Sequence, residues 1–429
     1  MANKNLFQTL KGMLIPETDT RNEERAAAYS FTPEQQLAQY AATGCLNSTF
    51  YATAENQLKT VMALSNRVDA GFVAATAIYC RERGFMKDMP ALLCALLSVR
   101  DAKLFTEVFP RVIDNGKMLR TFVQIMRSGA VGRKSLGSAP KRMVREWLST
   151  RSDVTVFNAS VGQSPSLSDI VKMVHPKPKT ASRTALYAYL IGKQHDADAL
   201  PDVVRSFEAF KKSASVEVPD VPFQMLAGLK LGAAEWAAIA RNASWQMIRM
   251  NLNTFARHGV YDREGMTDFI ANRLRDQTAI ARARVFPYQL LAAYVTLVKE
   301  VPDRVRIALE EAMEIATANV PKIEGKVYVC PDVSGSMQSP VTGFRRGSTT
   351  AVRCVDVAAL VAAAIVRRNP DAEVLPFECK VVNISLNADE RIMKNAQKLA
   401  SIGGGGTNCS APLARLNKRK ANGDLVIFV

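Results

Sequence analysis

Apolar residues recur at three- and four-residue spacing from about residue 53 to 318, and that spacing predicts helices almost throughout. The stripes fall at 54–64, 70–83, 90–97, 103–109, 118–126, 143–148, 184–191, 203–210, 245–255, 266–274 and 305–316. The connections between them are short and marked by Gly, Pro, Asn or Asp. Roughly two helices fill each 35 to 45 residues without a clean sequence period, which predicts an irregular α-solenoid of the HEAT type.

After Pro321 the pattern changes. An apolar run at 326–331 reads as a buried strand, followed by a polar loop, a helix at 353–368 and a strand at 373–377. A second short strand at 380–384, helical turns at 388–400 and 412–417, and a strand at 425–429 complete the series. Strands alternating with helices predict a doubly wound α/β domain with a parallel sheet. The fold class is therefore multidomain, with an all-α solenoid over 1–322 and an α/β, Rossmann-like domain over 323–429.

Composition narrows the partners. Of 429 residues 48% are apolar, and no low-complexity block interrupts the chain, so it reads as globular. No apolar run reaches the roughly 18 residues of a membrane span, and the first residues lack a continuous apolar segment with a cleavage site, which predicts a cytoplasmic protein. Seven scattered cysteines without a C-x-x-C pair predict free, mostly buried thiols. The net charge is +16, and its placement is uneven. Lys103 to Lys193 holds sixteen Lys/Arg against five Asp/Glu. So concentrated an excess predicts a polyanionic partner, nucleic acid before an acidic membrane.

Two loops carry candidate metal chemistry. Asp332-Val333-Ser334-Gly335-Ser336 follows the first strand, placing a carboxylate and two hydroxyls at a strand's carboxyl end, the edge at which ligands bind in open α/β sheets. Farther on, Gly403-Gly404-Gly405-Gly406-Thr407 supplies a flexible loop ending in another hydroxyl. D-x-S-x-S followed by a Gly-rich loop and Thr resembles the metal-ion-dependent adhesion site of von Willebrand factor A domains. The resemblance makes Asp332, Ser334, Ser336 and Thr407 candidate ligands of Mg²⁺ or another divalent cation. It also asks for a further Asp just past a later strand; 425–429 reads as that strand, so the site and its sheet are expected to be incomplete and metal binding weak.

A basic helical region running into an A domain resembles the Ro autoantigen family, proteins with a TROVE domain, in their bacterial form. The residues that carry this are Asn47-Ser48-Thr49-Phe50-Tyr51, Gly132-Arg133-Lys134 leading to Lys141-Arg142-Met143-Val144-Arg145-Glu146-Trp147, Ser168-Asp169 through Lys172 to His175-Pro176-Lys177-Pro178, and Pro287-Tyr288. The resemblance implies a monomeric ring of HEAT-like repeats closed by the A domain. It implies structured Y-like RNA on a basic outer face, single-stranded 3′ ends of misfolded RNA in the hole, and exoribonuclease partners in noncoding RNA quality control, maturation or decay.

The candidate RNA contacts are Arg133, Lys134, Lys141, Arg142, Arg145, Lys172, His175, Lys177 and Lys179. Lys141 and Arg145 fall on one helix face with Arg142 beside them, suited to phosphates, although a solvated basic face would carry the same residues. Prolines stiffen 175–179 and hold an imidazole and two lysines together, a set that takes single-stranded RNA by stacking and charge; a helix end complemented by positive residues is the plainer account. His195 and His258 read as structural or surface residues, and Trp147, Trp236 and Trp245 as core. No catalytic constellation is recognisable, so the chain reads as a non-enzymatic scaffold. The alternative makes the A domain primary, a metal-dependent protein-interaction module that the helical half positions.

Overall fold

The computed structural model describes residues 18–21, 25, 27–44, 46–49, 52–213, 217–344 and 351–429. Phe50 and Tyr51 of the Asn47–Tyr51 motif, and Cys45, lie outside them. The chain divides into two compact units. One comprises 1–46, 55–150 and 164–177; the other comprises 47–54, 151–163 and 178–429.

The first unit is built of helices whose ends are written in the sequence. Asp101 caps Ala102–Val112 by accepting from the N–H groups of Lys103 and Leu104, both at 2.9 Å. Asn115 does the same for Gly116–Ser128, which Gly129 ends at φ 85°. Phe105, Phe109 and Phe122 meet between these two helices with ring centroids 5.2–5.8 Å apart, and all three are buried. Trp147 is buried on Ser138–Thr150.

In the second unit Trp236 and Trp245 are likewise buried. Trp236 stacks on the His258 ring at 4.3 Å, and Trp245 donates from Nε1 to the Leu274 carbonyl. The stripe expected as one helix over 245–255 is two, Trp245–Met250 and Leu252–Arg257. Asn251 divides them: its side-chain amide donates to the Met247 carbonyl at 2.8 Å, competing with the helix ladder. No helix among the described residues is long and apolar enough to cross a membrane.

An antiparallel ladder near the N-terminus pairs β1 (Thr20–Arg21) with β2 (Ala27–Ala28). The expected α/β sheet is present in the order β4-β3-β5, all parallel, from β3 (Val327–Cys330), β4 (Glu373–Val374) and β5 (Leu425–Phe428). β3 is buried at every residue, and its register sets Val329 opposite both Val374 and Ile427. β4 is shorter than expected: Leu375 and Phe377 still donate to Val329 and Pro331, but Pro331 has no N–H to return the next ladder bond. The strand expected at 380–384 does not form: Val381 makes one antiparallel bridge to Phe377, and Val382 donates to the Pro376 carbonyl.

Helix Cys354–Arg368 packs on β3 and on helix Ile392–Ala400. Helix Asp303–Ala316 ties into this layer through Glu314, which accepts from the Ile392 N–H at 2.8 Å and faces Arg367 at 3.8 Å. Glu310 adds a pair with Arg391 at 3.3 Å. Glu314→Ala removes a charged cap from Ile392–Ala400 and should lower unfolding free energy by about 1.5–2 kcal/mol. Urea unfolding followed by circular dichroism measures this; an unchanged midpoint would show that Glu314 does not brace the layer.

Candidate nucleic-acid interface and metal centre

Helix Ser138–Thr150 buries Met143, Val144, Trp147 and Leu148 and turns its basic residues outward. Arg142 and Arg145 are exposed and Lys141 half-buried. Arg142 reaches Thr106 Oγ1 only loosely, at 3.4 Å. Upstream, Lys134 is exposed and Arg133 is half-buried, its guanidinium lying over Gly137.

Helix Leu167–Val174 begins with a reciprocal cap between Ser166 and Asp169 and ends at His175. Hydrogen bonds from Ser166 hold the Asp169 carboxyl below its ordinary range, with Lys172 and Arg127 adding to the effect. His175 adopts the left-handed conformation at φ 50° and ψ 65°, which turns the chain sharply; its N–H donates to Val171 at 3.0 Å. Lys172, His175, Lys177 and Lys179 are all exposed.

One hydrogen bond joins the two groups of candidates. Arg145 Nε donates to the carbonyl of Val174, the residue before His175. A carbonyl in the last helical turn has no partner within its own helix, and a guanidinium there satisfies it and complements the helix dipole. Arg145, assigned from sequence to the helix face alone, therefore also fixes the His175 corner. His195 and His258 stand apart: His195 Nδ1 contacts the Lys193 carbonyl and its ring meets Tyr189 edge-on, while His258 stacks on Trp236. Burial, followed by the charge of Arg257, holds the His258 imidazole below its ordinary value.

The second candidate site lies at the carboxyl edge of the sheet. Because the strands are parallel, the loops after β3 and β4 and the end of β5 converge there. Asp332 donates its N–H to the Val429 carbonyl at 2.9 Å, and Val333 donates to Phe377 at 2.9 Å. Asp332 Oδ1 accepts from the Ser334 N–H at 2.8 Å. Ser334 is fully buried and its Oγ lies 3.2 Å from Ser336 Oγ.

The glycine-rich loop is fastened to this motif. Gly335 donates to the Gly405 carbonyl at 2.8 Å, and Gly404 donates to Val333 at 2.9 Å. Gly403 sits at φ 81°, where a side chain is strained and its Cβ would strike the Val333 carbonyl, so the approach requires glycine. Thr407 follows, half-buried.

Two contributors were not foreseen from sequence. Glu378, one residue past Phe377, accepts from the Gly405 N–H at 2.9 Å through Oε2, while its backbone carbonyl accepts from Asn408 at 2.9 Å. Its signal was its place at a strand's carboxyl end, obscured by the expectation of a second strand just beyond. The other is cysteine: Cys80, Cys94 and Cys330 are buried as expected, but Cys379 and Cys409 are exposed beside these loops. Burial, and then the Asp332 charge, raise the Cys409 thiol above its ordinary value.

The donor set is one carboxylate with hydroxyls, the hard oxygen chemistry that Mg²⁺ accepts. The close pair of a buried Ser334 hydroxyl and the Ser336 hydroxyl fits such an ion. Asp332, Ser334, Ser336 and Thr407 would hold it, with water completing its shell.

Comparison with known proteins gives these features a context. Residues 326–429 match the family described as the Ro60 vWA domain. The chain is 25% identical over 457 aligned positions to the RNA-binding protein RO60 of Deinococcus radiodurans, an alignment covering 96% of this chain and 83% of that protein. The crystal structure of the Deinococcus radiodurans Ro (RSR) protein superposes with a TM-score of 0.69 at 22% identity, covering 92% of this chain and 86% of that one. From its helical region through its terminal sheet the chain resembles the Ro proteins, and its residues 326–429 match the von Willebrand factor A domain of the Ro60 type.

Proposed function

We propose that this protein is an RNA-binding scaffold of the Ro type, acting on noncoding RNA without catalysing a reaction of its own. The observation that carries this reading is the joined basic surface of helix Ser138–Thr150 and the His175 corner, set in the most basic stretch of the chain. The name of the Deinococcus radiodurans relative, an RNA-binding protein, supports it. Lys141, Arg142 and Arg145, with Arg133 and Lys134, would take phosphates of a structured, Y-like RNA. Lys172, His175, Lys177 and Lys179 would take a single-stranded 3′ tail, the lysines by charge and the imidazole by stacking or hydrogen bonding. In this reading the helical repeats close into a ring whose hole admits the tail, and an exoribonuclease is the partner that processes the bound RNA.

The A domain has a separate role. With Mg²⁺ held by Asp332, Ser334, Ser336 and Thr407, a free coordination position would accept a carboxylate from a partner protein. The docking of the Gly403–Gly406 loop onto the Asp332 loop favours this reading, because it brings the hydroxyl-bearing segments together. RNA binding then requires no metal.

Lys141→Ala combined with Arg142→Ala should weaken binding of a structured RNA and reduce the slope of log affinity against log salt by about two. Fluorescence anisotropy across a salt series measures both. An unaltered slope would remove these residues from the phosphate surface. Arg145→Lys keeps the charge and loses the guanidinium bond to Val174, so it should lower the melting temperature and leave that slope unchanged.

His175→Ser should impair RNA with a single-stranded tail more than tailless RNA of the same fold; an equal loss for both would end the proposed division between the two surfaces. At the other site, Asp332→Ala should abolish the heat of Mg²⁺ binding in calorimetry, and Gly403→Val should weaken it by displacing the loop, while RNA affinity stays unchanged in both. Loss of RNA binding in EDTA would overturn the separation of the two roles.

A further inference from the structure

Away from both sites, the second unit presents an aromatic pair that its own core does not use. Phe286 and Tyr288 are 40% and 38% exposed, and their rings are nearly parallel, 13° apart with centroids at 6.4 Å. They border a cleft of about 320 Å³ whose other walls are apolar, supplied by Val320 and Pro321 and by Leu360, Val361, Ala364 and Ile365 of helix Cys354–Arg368.

The residues that flank the cleft in sequence are mostly basic, with Glu324 the one exposed acid beside them. Arg282 and Arg284 precede the pair and Lys322 follows Pro321; all three are exposed. Exposed aromatic faces flanked by cations are what single-stranded nucleic acid requires: bases stack on the rings and phosphates meet the guanidinium and ammonium groups. An apolar protein segment would find the cleft walls but no use for three exposed cations within four residues of Phe286 or Pro321, and that charge favours the polyanion.

The platform is also held in place before any ligand arrives. Asn319 donates from its amide to the Val285 carbonyl at 2.7 Å and to the Ile280 carbonyl at 3.3 Å. The Phe286 N–H donates to Gln289 Oε1 at 3.0 Å, and Arg249 Nη1 donates to the Gln289 carbonyl. Pro287 is buried at the first position of helix Pro287–Tyr294 and fixes the backbone between the rings. Little ordering is left to oppose binding.

We infer that Phe286 and Tyr288 form a stacking platform for an unpaired base of single-stranded RNA, with Arg282, Arg284 and Lys322 holding the adjoining phosphates. The inference rests on the RNA-binding reading and adds a contact surface to it. It concerns a part of the chain remote in sequence from the basic segment between Lys103 and Lys193.

The test uses the full chain with a short oligouridylate and an abasic phosphodiester chain of equal length. Phe286→Ala with Tyr288→Ala should lose about tenfold in affinity for the oligouridylate and lose little for the abasic chain. Phe286→Trp should retain affinity. Since Trp147, Trp236 and Trp245 are buried, the added indole should be the one whose fluorescence is quenched by oligouridylate, a readout that does not depend on the double variant folding.

Full affinity in the double variant, with no quenching in Phe286→Trp, would overturn the platform while leaving the RNA-binding reading intact; the cleft would then be a protein-docking face. Equal loss on the abasic chain would overturn stacking. Failure of the unaltered protein to bind any RNA would overturn both readings.

Discussion

Parallel hydrogen bonding on both sides of β3 is the constraint on which the A domain depends. Four buried residues, Val327 to Cys330, give their backbone to β4 on one side and β5 on the other. Because all three run the same way, Asp332, Glu378 and Val429 arrive at one edge of the sheet. The loops there are then secured chiefly by backbone groups, as in Gly335 to Gly405, Gly404 to Val333 and Val333 to Phe377. A site organised by main chain asks for small residues where loops touch, and Gly335, Gly403 and Gly405 are found at those points. Burial of β3 also explains Cys330, whose thiol is pushed up to about 12 and stays chemically quiet.

Charge in the helical region serves two purposes, and net charge alone does not separate them. Arg183 is nearly buried, bound to Asp153 at 2.6 Å and to the Arg151 carbonyl. Arg81 pairs with Asp114 and Arg111 with Glu82. Arg100 donates to the carbonyls of Ser65 and Val68, as Arg145 does to Val174. An arginine bonded to a carbonyl keeps its full charge, so Arg145 contributes to the positive potential while acting as a brace. One paired with a carboxylate does not, because the pair is close to neutral from a distance. Between Lys103 and Lys193, Arg111 and Arg183 are held in such pairs, which weakens the field there without changing its sign.

Most of the stripes were legible as helices from their periodicity, and the structure adds caps that agree with it, as at Asp101 and Asn115. The A-domain motif was legible because D-x-S-x-S and the Gly-rich loop bring their own backbone geometry. What escaped depended on neighbours distant in sequence or on local competition. Asn251 divides a stripe that periodicity alone joins; Pro331, which has no N–H to give, shortens the pairing of β4; and 380–384 has β-favouring residues but only one bridge to pair with. The bond between Arg145 and Val174 spans 29 residues and has no periodic signature. Glu378 was invisible as a site residue because its role is to receive a backbone N–H from a loop that lies well beyond it in the chain.

Helix Cys354–Arg368 runs from the candidate metal site to the aromatic cleft. Its first residue donates its N–H to the Ser339 carbonyl, just after the Asp332–Ser336 motif, while Leu360 to Ile365 line the cleft farther along. At about 1.5 Å per residue, the 15-residue helix is roughly 22 Å long. A helix buried along Val355, Ala358, Ala359, Leu360 and Ala362 to Val366 moves as a body, if it moves at all. Coupling between its ends would require two packed arrangements of that whole face. The same rigidity would keep the proposed cation site and the proposed stacking faces independent of each other.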